Sequence, residues 1–220
     1  MRTIALFRDL DDAELSRIAA LCNIRSCTKQ AEVLSQEDRT TDVFFILSGT
    51  VRVSSFTEGG REVIFTEMSA GQMFGEFSAV DQLPRSASVL ALSDCVVATM
   101  SAGRFFELLK GNGTIASRLI EVLVGKIRAM SERVFEVSAL AVRERVRREL
   151  LRLSTEGTAF RNGIVIRPAP THYELAARIG SHREAVTREF NRLESENIIE
   201  VRRRQIRIID IDKLKHGEAE

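Results

Sequence analysis

Seven apolar residues, Ala116, Ile120, Leu123, Ile127, Met130, Val134 and Val137, recur at alternating spacings of four and three. A strand cannot use that pattern, because its side chains alternate with a period of two. On a helix the pattern is a coiled-coil seam, here held for three heptads. Lys126, Arg128, Glu132 and Arg133 are among the polar residues off the seam. A seam of this length needs a second helix, and no other stretch of the chain offers a comparable one. A symmetric homodimer is the simplest supplier. Packing of the helix against its own sheet is the alternative. The seam also divides the chain, because the hydrophobic period differs on its two sides.

In front of it, residues 9–22 read as a helix. Asp11 or Asp12 can cap it, Glu14 lies in its first turn, and Leu15, Ile18, Ala19 and Cys22 form its apolar stripe. The period then shortens. Val43-Phe44-Phe45-Ile46-Leu47 is a short apolar run, and residues 50–56 alternate with Val51 and Val53 on one face. Glu58-Gly59-Gly60-Arg61 is a hairpin turn with residues 62–68 as the return strand, and residues 86–92 and 95–100 read as two more strands. Many short strands punctuated by glycine turns predict a β-sandwich or barrel. A metal-dependent enzyme on such a barrel would need histidine ligands. The three histidines, His172, His182 and His216, all lie outside the strand region, so no catalytic or metal set is expected.

Between the last two groups of strands lies a stretch with a different chemistry. Gly75-Glu76-Phe77 is followed, ten positions after the glycine, by Arg85-Ser86-Ala87. A guanidinium grips a phosphate through parallel hydrogen bonds, and backbone N–H groups at a short helical turn also suit an anion. A carboxylate beside a phosphate repels it unless it has its own partner, and a sugar hydroxyl is the obvious one. Phosphate and ribose together describe a nucleotide. A surface Arg–Glu pair on a turn is the plainer alternative. The run Phe74-Gly75-Glu76-Phe77-Ser78-Ala79, then Arg85-Ser86-Ala87-Ser88-Val89, resembles the phosphate-binding cassette of cyclic-nucleotide-binding domains. That resemblance implies a jelly roll in which Gly75, Glu76, Phe77, Arg85 and Ser86 surround the ligand. Glu76 would accept from the ribose 2′-hydroxyl, and Arg85, helped by Ser86, would pair with the cyclic phosphate.

Behind the seam the chain turns basic. Residues 141–220 hold 17 Lys/Arg against 13 Asp/Glu, whereas residues 1–140 hold 15 against 18, so a polyanionic partner belongs to the rear half. Residues 139–153 read as a helix, 154–163 as a polar loop and 164–166 as a short strand. Thr171 with Glu174, and Ser181 with Glu184, then mark two capped helices around Gly180, which is a helix-turn-helix. Leu175, Ala176, Ile179, Val186 and Leu193 are its expected core. Residues 198–209 read as a hairpin, a wing with the basic tip Arg202-Arg203-Arg204. The second helix presents Arg183, Glu184 and Arg188, where an arginine can read guanine and a glutamate can accept from cytosine. A solvated charged face is the alternative.

Taken from about residue 5 to 212, the chain resembles the CRP/FNR superfamily of bacterial transcription regulators, most closely its cyclic-AMP-binding, catabolite-activator branch. The resemblance implies an α+β protein in three parts: an N-terminal β jelly-roll sensor at 1–113, a dimerisation helix at 114–138 and a C-terminal winged helix-turn-helix at 139–220. It implies an allosteric, non-enzymatic, homodimeric regulator with cyclic AMP as ligand and cyclic GMP as a competitor. Double-stranded DNA with palindromic, TGTGA-like half-sites is the implied partner, contacted by Thr171, Ser181, His182, Arg183, Glu184, Arg188 and Arg202 to Arg204. RNA polymerase is a further partner, through the 154–163 loop and its Phe160-Arg161. The base would lie near Met130 and Ser131, where the cyclic-AMP branch carries Thr-Ser. The iron–sulfur branch's extra N-terminal cysteines are missing, and no histidine precedes residue 172, so oxygen and haem sensing are disfavoured. A constitutive regulator, or one sensing thiols through Cys22 and Cys27, is the first rival. A cyclic-nucleotide regulatory subunit is the second. Cys22, Cys27 and Cys95 do not form a disulfide framework. No apolar run reaches the ~18 residues of a membrane span, and residues 1–9 break too early for a signal peptide. The expected location is the cytoplasm.

Overall fold

The apolar run Val43-Phe44-Phe45-Ile46 becomes a strand buried on both faces. Val43 and Phe45 enter one core cluster and Phe44 and Ile46 another, which is why its sequence is continuously apolar rather than alternating. The structure is a computed structural model that describes residues 1–155, 157–160 and 163–216, and it divides into two units, 1–129 and 130–220.

The first unit begins with a 3-10 turn at Ala5–Phe7 and helix α1 (Asp12–Ala20). Asp11 caps α1 in a reciprocal box with Glu14. Eight strands follow: β1 (Asn23–Cys27), β2 (Glu32–Leu34), β3 (Val43–Ser48), β4 (Thr50–Phe56), β5 (Glu62–Ser69), β6 (Met73–Phe74), then, after α2 (Glu76–Asp81), β7 (Ser88–Ala91) and β8 (Cys95–Met100). They form two antiparallel sheets, β1-β8-β3-β6 and β2-β7-β4-β5, the expected jelly roll. One apolar cluster fills the space between the sheets, including Cys27, Phe44, Ile46, Val51, Phe74 and Cys95. A second lies under α1, α3 (Ala102–Gly111) and the start of α4 (Gly113–Ala139), with Phe7, Phe45, Phe105, Ile115 and Leu119 at its centre. Asn112 divides α3 from α4: its side-chain oxygen accepts from the N–H groups of Thr114 and Ile115 at 3.0 and 3.2 Å.

The second unit contains the end of α4, then α5 (Val142–Ser154), β9 (Thr158–Phe160), β10 (Gly163–Ile166), α6 (His172–Ile179), α7 (Arg183–Ser195), β11 (Ile199–Arg202), β12 (Gln205–Ile208) and α8 (Ile211–His216). Its sheet has the order β11-β12-β10-β9. The wing is therefore half of a four-stranded sheet, and the expected 154–163 loop carries a strand; Arg161 lies outside the described residues. Leu175, Ala176, Ile179, Val186 and Leu193 are all in the core, joined by Phe190. Two buried carboxylates, Glu136 of α4 and Glu149 of α5, gather arginines around them. Arg133 reaches both at 3.4 Å, Arg152 bonds both, Arg148 lies 3.5 Å from Glu136 and Arg178 of α6 lies 3.5 Å from Glu149. Burial pushes the Glu136 carboxyl up, but Arg152 and Arg133 outweigh it and hold it below the usual carboxylate range.

Element boundaries move inward from the sequence expectation in several places. The first helix covers 12–20 rather than 9–22, and the strand expected at 86–92 covers 88–91. Ala139 belongs to α4, and α5 starts at Val142. Among the described residues no helix is long and apolar enough to cross a membrane.

Candidate functional site

β6 ends at Phe74 and the chain turns at Gly75, whose φ of 83° lies in the left-handed region. A Cβ there would come within 2.8 Å of the Asp42 carbonyl oxygen and 2.9 Å of Arg85 Nη1. Glycine is required twice over, by backbone conformation and by the closeness of the guanidinium. Arg85 returns to the same point from the far end of the cassette. Its backbone N–H donates to Asp38 O at 2.8 Å and its carbonyl accepts from the N–H of Glu37 at 2.9 Å. Its side chain, 2% exposed, donates from Nε to Thr40 Oγ1 at 3.0 Å, from Nη1 to Gly75 O at 2.9 Å and from Nη2 to Asp42 O at 2.8 Å. The Phe44 ring lies against it at 5.8 Å.

A guanidinium has five N–H groups. Those three bonds leave one hydrogen on each terminal nitrogen, enough for a phosphate to take two parallel bonds. Burial holds the guanidinium's proton affinity below its ordinary value, with Asp42, Asp38 and Glu76 opposing the shift.

Glu76 opens α2 and is also 2% exposed. Its Oε1 accepts from Lys126 Nζ of α4 at 2.6 Å. The same ammonium reaches Met73 O at 3.3 Å and sits 5.8 Å from the centre of the Phe77 ring, whose outer side is exposed. Ser86, beside Arg85, is exposed, whereas Ser88 is buried and accepts from the N–H of Gln36 at 3.0 Å. Met130 and Ser131 lie on exposed positions of α4.

The seam is an exposed apolar stripe. Ile127 is 61% and Val134 64% exposed, with Ile120, Met130 and Val137 in the same class. Leu123 departs from the expected set: it packs onto the core of its own unit, and Val124 takes its place on the exposed side. A helix of 3.6 residues per turn drifts from a strict heptad, so the core decides between the two neighbours. Ala116 is half-buried, and Phe135 adds an exposed ring.

In the second unit Thr171 and Glu174 cap α6 reciprocally, and Gly180 ends it at φ 62°. Arg145 of α5 donates to Ile179 O at 2.6 Å and Gly180 O at 3.2 Å, closing the helix end. The expected Ser181 cap does not form. Ser181 is buried, the cap position falls to His182, and no side chain bonds there. His182, Arg183, Glu184 and Arg188 are exposed. His172 joins the two helices: its Nδ1 is 2.9 Å from Thr187 Oγ1 and its ring meets Phe190 at 4.6 Å. Burial pulls the His172 imidazole below its ordinary value, helped by Arg183 and opposed by Glu194.

The wing tip is only Arg203-Arg204, with Arg204 at φ 56°. Arg202 is a strand residue. It stands two positions from Glu200 on the same strand face and donates to that carboxylate at 2.8 Å.

Thr40, Asp42 and Lys126 were not expected in the site. The first two are polar residues of a connecting segment, and Lys126 read as an ordinary off-seam charge. Among the described residues no group of three or more His, Cys, Asp or Glu could hold a metal ion.

This is a ligand-sensing β domain in a chain that also carries a winged helix-turn-helix, the build of a DNA-binding transcription regulator under cyclic-nucleotide control. Residues 24–112 match the cyclic nucleotide-binding domain family and residues 144–216 the Crp-like helix-turn-helix family. The cAMP-activated global transcriptional regulator Vfr of Pseudomonas aeruginosa is 29% identical over 192 residues, covering 86% of this chain and 90% of Vfr. The cAMP-activated global transcriptional regulator CRP of Haemophilus influenzae is 27% identical over 179 residues, covering 81% and 80%. Among solved structures, the global regulator CLP of Xanthomonas campestris superposes with a TM-score of 0.80 at 20% identity, covering 90% of this chain and 99% of CLP. In both matched domains and over most of its length the chain is similar to transcription regulators of the CRP/FNR family.

Proposed function

We propose that this regulator is a homodimer that binds a palindromic, TGTGA-like DNA site when cyclic AMP occupies the Arg85–Glu76 site. One observation carries the ligand reading: a buried guanidinium with two N–H groups left over stands beside a buried carboxylate. That pair suits a cyclic phosphate and a ribose hydroxyl. The exposed stripe on α4 supports the dimer, and Vfr and CRP, both described as cAMP-activated, support the choice of nucleotide. The ligand acts by population shift, so it must bind the DNA-competent dimer more tightly than the alternative. The 154–163 segment is proposed as a contact for RNA polymerase. The protein acts in the cytoplasm and carries out no catalysis.

Calorimetric titration tests the ligand. CLP is described as c-di-GMP responsive, so cyclic di-GMP joins cyclic AMP and cyclic GMP as a third arm. Cyclic AMP binding that tightens DNA affinity is the expected result, and absence of binding at millimolar concentration would end the reading. Met130 cannot offer the hydroxyl that a threonine would give to adenine's exocyclic amine. One neutral hydrogen bond is worth ~0.5–1.5 kcal/mol, a factor of about two to twelve. Cyclic AMP should therefore bind with weak preference over cyclic GMP, and Met130→Thr should raise the ratio of the two dissociation constants.

A further inference from the structure

We infer that Cys27 and Cys95 are an oxidisable pair that closes to a reversible intramolecular disulfide under peroxide, and that Cys22 takes no part in it. This chemistry is separate from the proposed ligand site.

Cys27 ends β1 and Cys95 begins β8, and the antiparallel register sets them directly opposite one another. Residues opposite in such a pair point to the same face, with Cα atoms about 4.5–5.5 Å apart. A disulfide needs about 4.4–6.8 Å, so the backbone already has the required spacing. Both side chains enter the same core cluster, 6% and 2% exposed. The chain just beyond the pair holds the two segments together as well. Lys29 N–H donates to Asp94 Oδ1 at 2.8 Å, and Gln30 N–H donates to Ala91 O at 2.8 Å. Gly49 gives the sulfur its room, because a Cβ there would stand 2.6 Å from Cys95 Sγ.

Cys22 has no comparable reach. It precedes β1 and packs against the other core cluster of the unit. β1 sets Asn23 about 13 Å from Cys27 at ~3.3 Å per residue, and one Cα step of about 3.8 Å brings Cys22 no nearer than about 9 Å. Bridging fails beyond about 7 Å. A thiol sensor built on Cys22 and Cys27 therefore cannot close a disulfide between them while β1 is intact.

The two paired sulfurs differ in what they touch. Cys95 Sγ donates to Thr50 O at 3.3 Å and Ser93 O at 3.2 Å, bonds that keep its proton in place. Cys27 Sγ has no hydrogen bond among the described residues, and it ends an edge strand whose other four residues are exposed. The end of an edge strand opens locally at low cost, so Cys27 meets the oxidant first. Its thiolate attacks one peroxide oxygen and breaks the O–O bond, giving a sulfenic acid and a hydroxide that takes up the Cys27 proton. Cys95 Sγ then attacks the sulfenic sulfur, and the displaced hydroxide leaves with the Cys95 proton as water. Two thiols and one peroxide give one disulfide and two waters. A dithiol reverses the bond by exchange. In a reducing compartment such a bond is transient and marks oxidative load.

The experiment incubates the full-length protein with millimolar hydrogen peroxide, alkylates it without reduction and maps it by proteolysis and mass spectrometry. The expected product is one intramolecular disulfide joining the Cys27 and Cys95 peptides, with Cys22 outside any disulfide. Dithiothreitol should restore both thiols. The bond closes a loop of roughly 70 residues, so oxidation should raise the melting temperature by about 5–15 °C. Cys22→Ser should show the same rise and Cys95→Ala none. The map is read on the wild type, so it stands even where Cys95→Ala folds poorly. Cys27 and Cys95 that stay free, or that end as separate sulfinic acids, would overturn the inference. A disulfide through Cys22, or one between two molecules, would overturn it too.

Discussion

Arg85 Nη1 donates to the carbonyl oxygen of Gly75 at 2.9 Å, joining the two ends of a cassette whose contact residues are ten positions apart. The bond makes Arg85 part of the fold as well as of the proposed ligand site. Replacing it by alanine leaves Gly75 O, Asp42 O and Thr40 Oγ1 without this donor, at partly buried bonds. Arg85→Ala should therefore abolish nucleotide binding and also cost about 2–4 kcal/mol of stability. Arg85→Lys keeps the charge but loses the fork; it should melt closer to the wild type while binding nucleotide at least about tenfold more weakly. Thermal melts beside calorimetric titrations measure both effects. An Arg85→Ala protein as stable as the wild type would show that these three bonds contribute little.

The α4 stripe leads to an oligomeric-state prediction. Burying a large apolar side chain is worth about 1.5–3 kcal/mol, and Ile127 and Val134 are each more than half exposed. Ile127→Asp or Val134→Asp should shift the protein to monomer by light scattering at micromolar concentration and weaken binding to a two-half-site DNA. Glu121→Gln, on an exposed polar position of the same helix, should leave the dimer intact. Unchanged mass in both aspartate variants would remove the stripe as the dimer surface.

His172 makes stability depend on pH in a stated direction. In the fold its proton affinity is depressed by burial and by Arg183, with Glu194 opposing. Below the ordinary imidazole value of about 6.5 the unfolded chain takes up a proton that the folded chain resists. Stability is therefore kept above that pH and falls as pH drops toward the folded value. His172→Gln should flatten the change in melting temperature between pH 7.5 and 5.5 (chosen to bracket about one unit either side of the imidazole). Parallel melting curves for wild type and variant would exclude this contribution.

On DNA, the exposed recognition-helix residues and the wing tip should behave differently. Arg188→Ala should cost about 1–3 kcal/mol at the preferred site and relax the choice of base at one position. Arg203→Ala should weaken all sequences alike and reduce the slope of log affinity against log salt by about 0.9. Binding isotherms at several salt concentrations, on a selected site and on scrambled DNA, separate the two. A sequence-independent loss in Arg188→Ala would place that residue on the phosphates instead.

Elements with a sustained period or a cap were legible in the sequence. The seam, the capped helix at Asp11, the helix around Thr171 and Glu174, and the strand centred on Phe44 and Phe45 all carry such signals. β1 did not, because four of its five residues are exposed and its sequence, Asn-Ile-Arg-Ser-Cys, has little apolar alternation. β6 is two residues long, and α2 is a six-residue helix begun by glycine, too short to be recognised from propensity. The candidate site was legible at Glu76 and Arg85, where motif and spacing coincide and both side chains prove buried. Its supports were not. Thr40 and Asp42 come from a segment without pattern, and the Lys126–Glu76 pair joins residues 50 positions apart, a proximity created only by the packing of α4. The wing's Arg202 looked like its neighbours until the two-residue period of β11 placed it on the same face as Glu200.

The arginine-bound carboxylates of Glu136 and Glu149 determine where this protein could be divided. Arg133 and Glu136 belong to the long helix, yet their charge partners Arg148, Glu149 and Arg152 are on α5. A fragment cut just after Ala139 would remove one carboxylate and one guanidinium from a buried cluster, leaving the remaining arginines crowded around Glu149. The smallest self-standing DNA-reading piece therefore starts ahead of Arg133. Val134 and Val137 lie between that point and Ala139, so such a piece necessarily retains the last apolar side chains of the seam. The half of the molecule that reads DNA carries its own remnant of the surface through which two copies would meet.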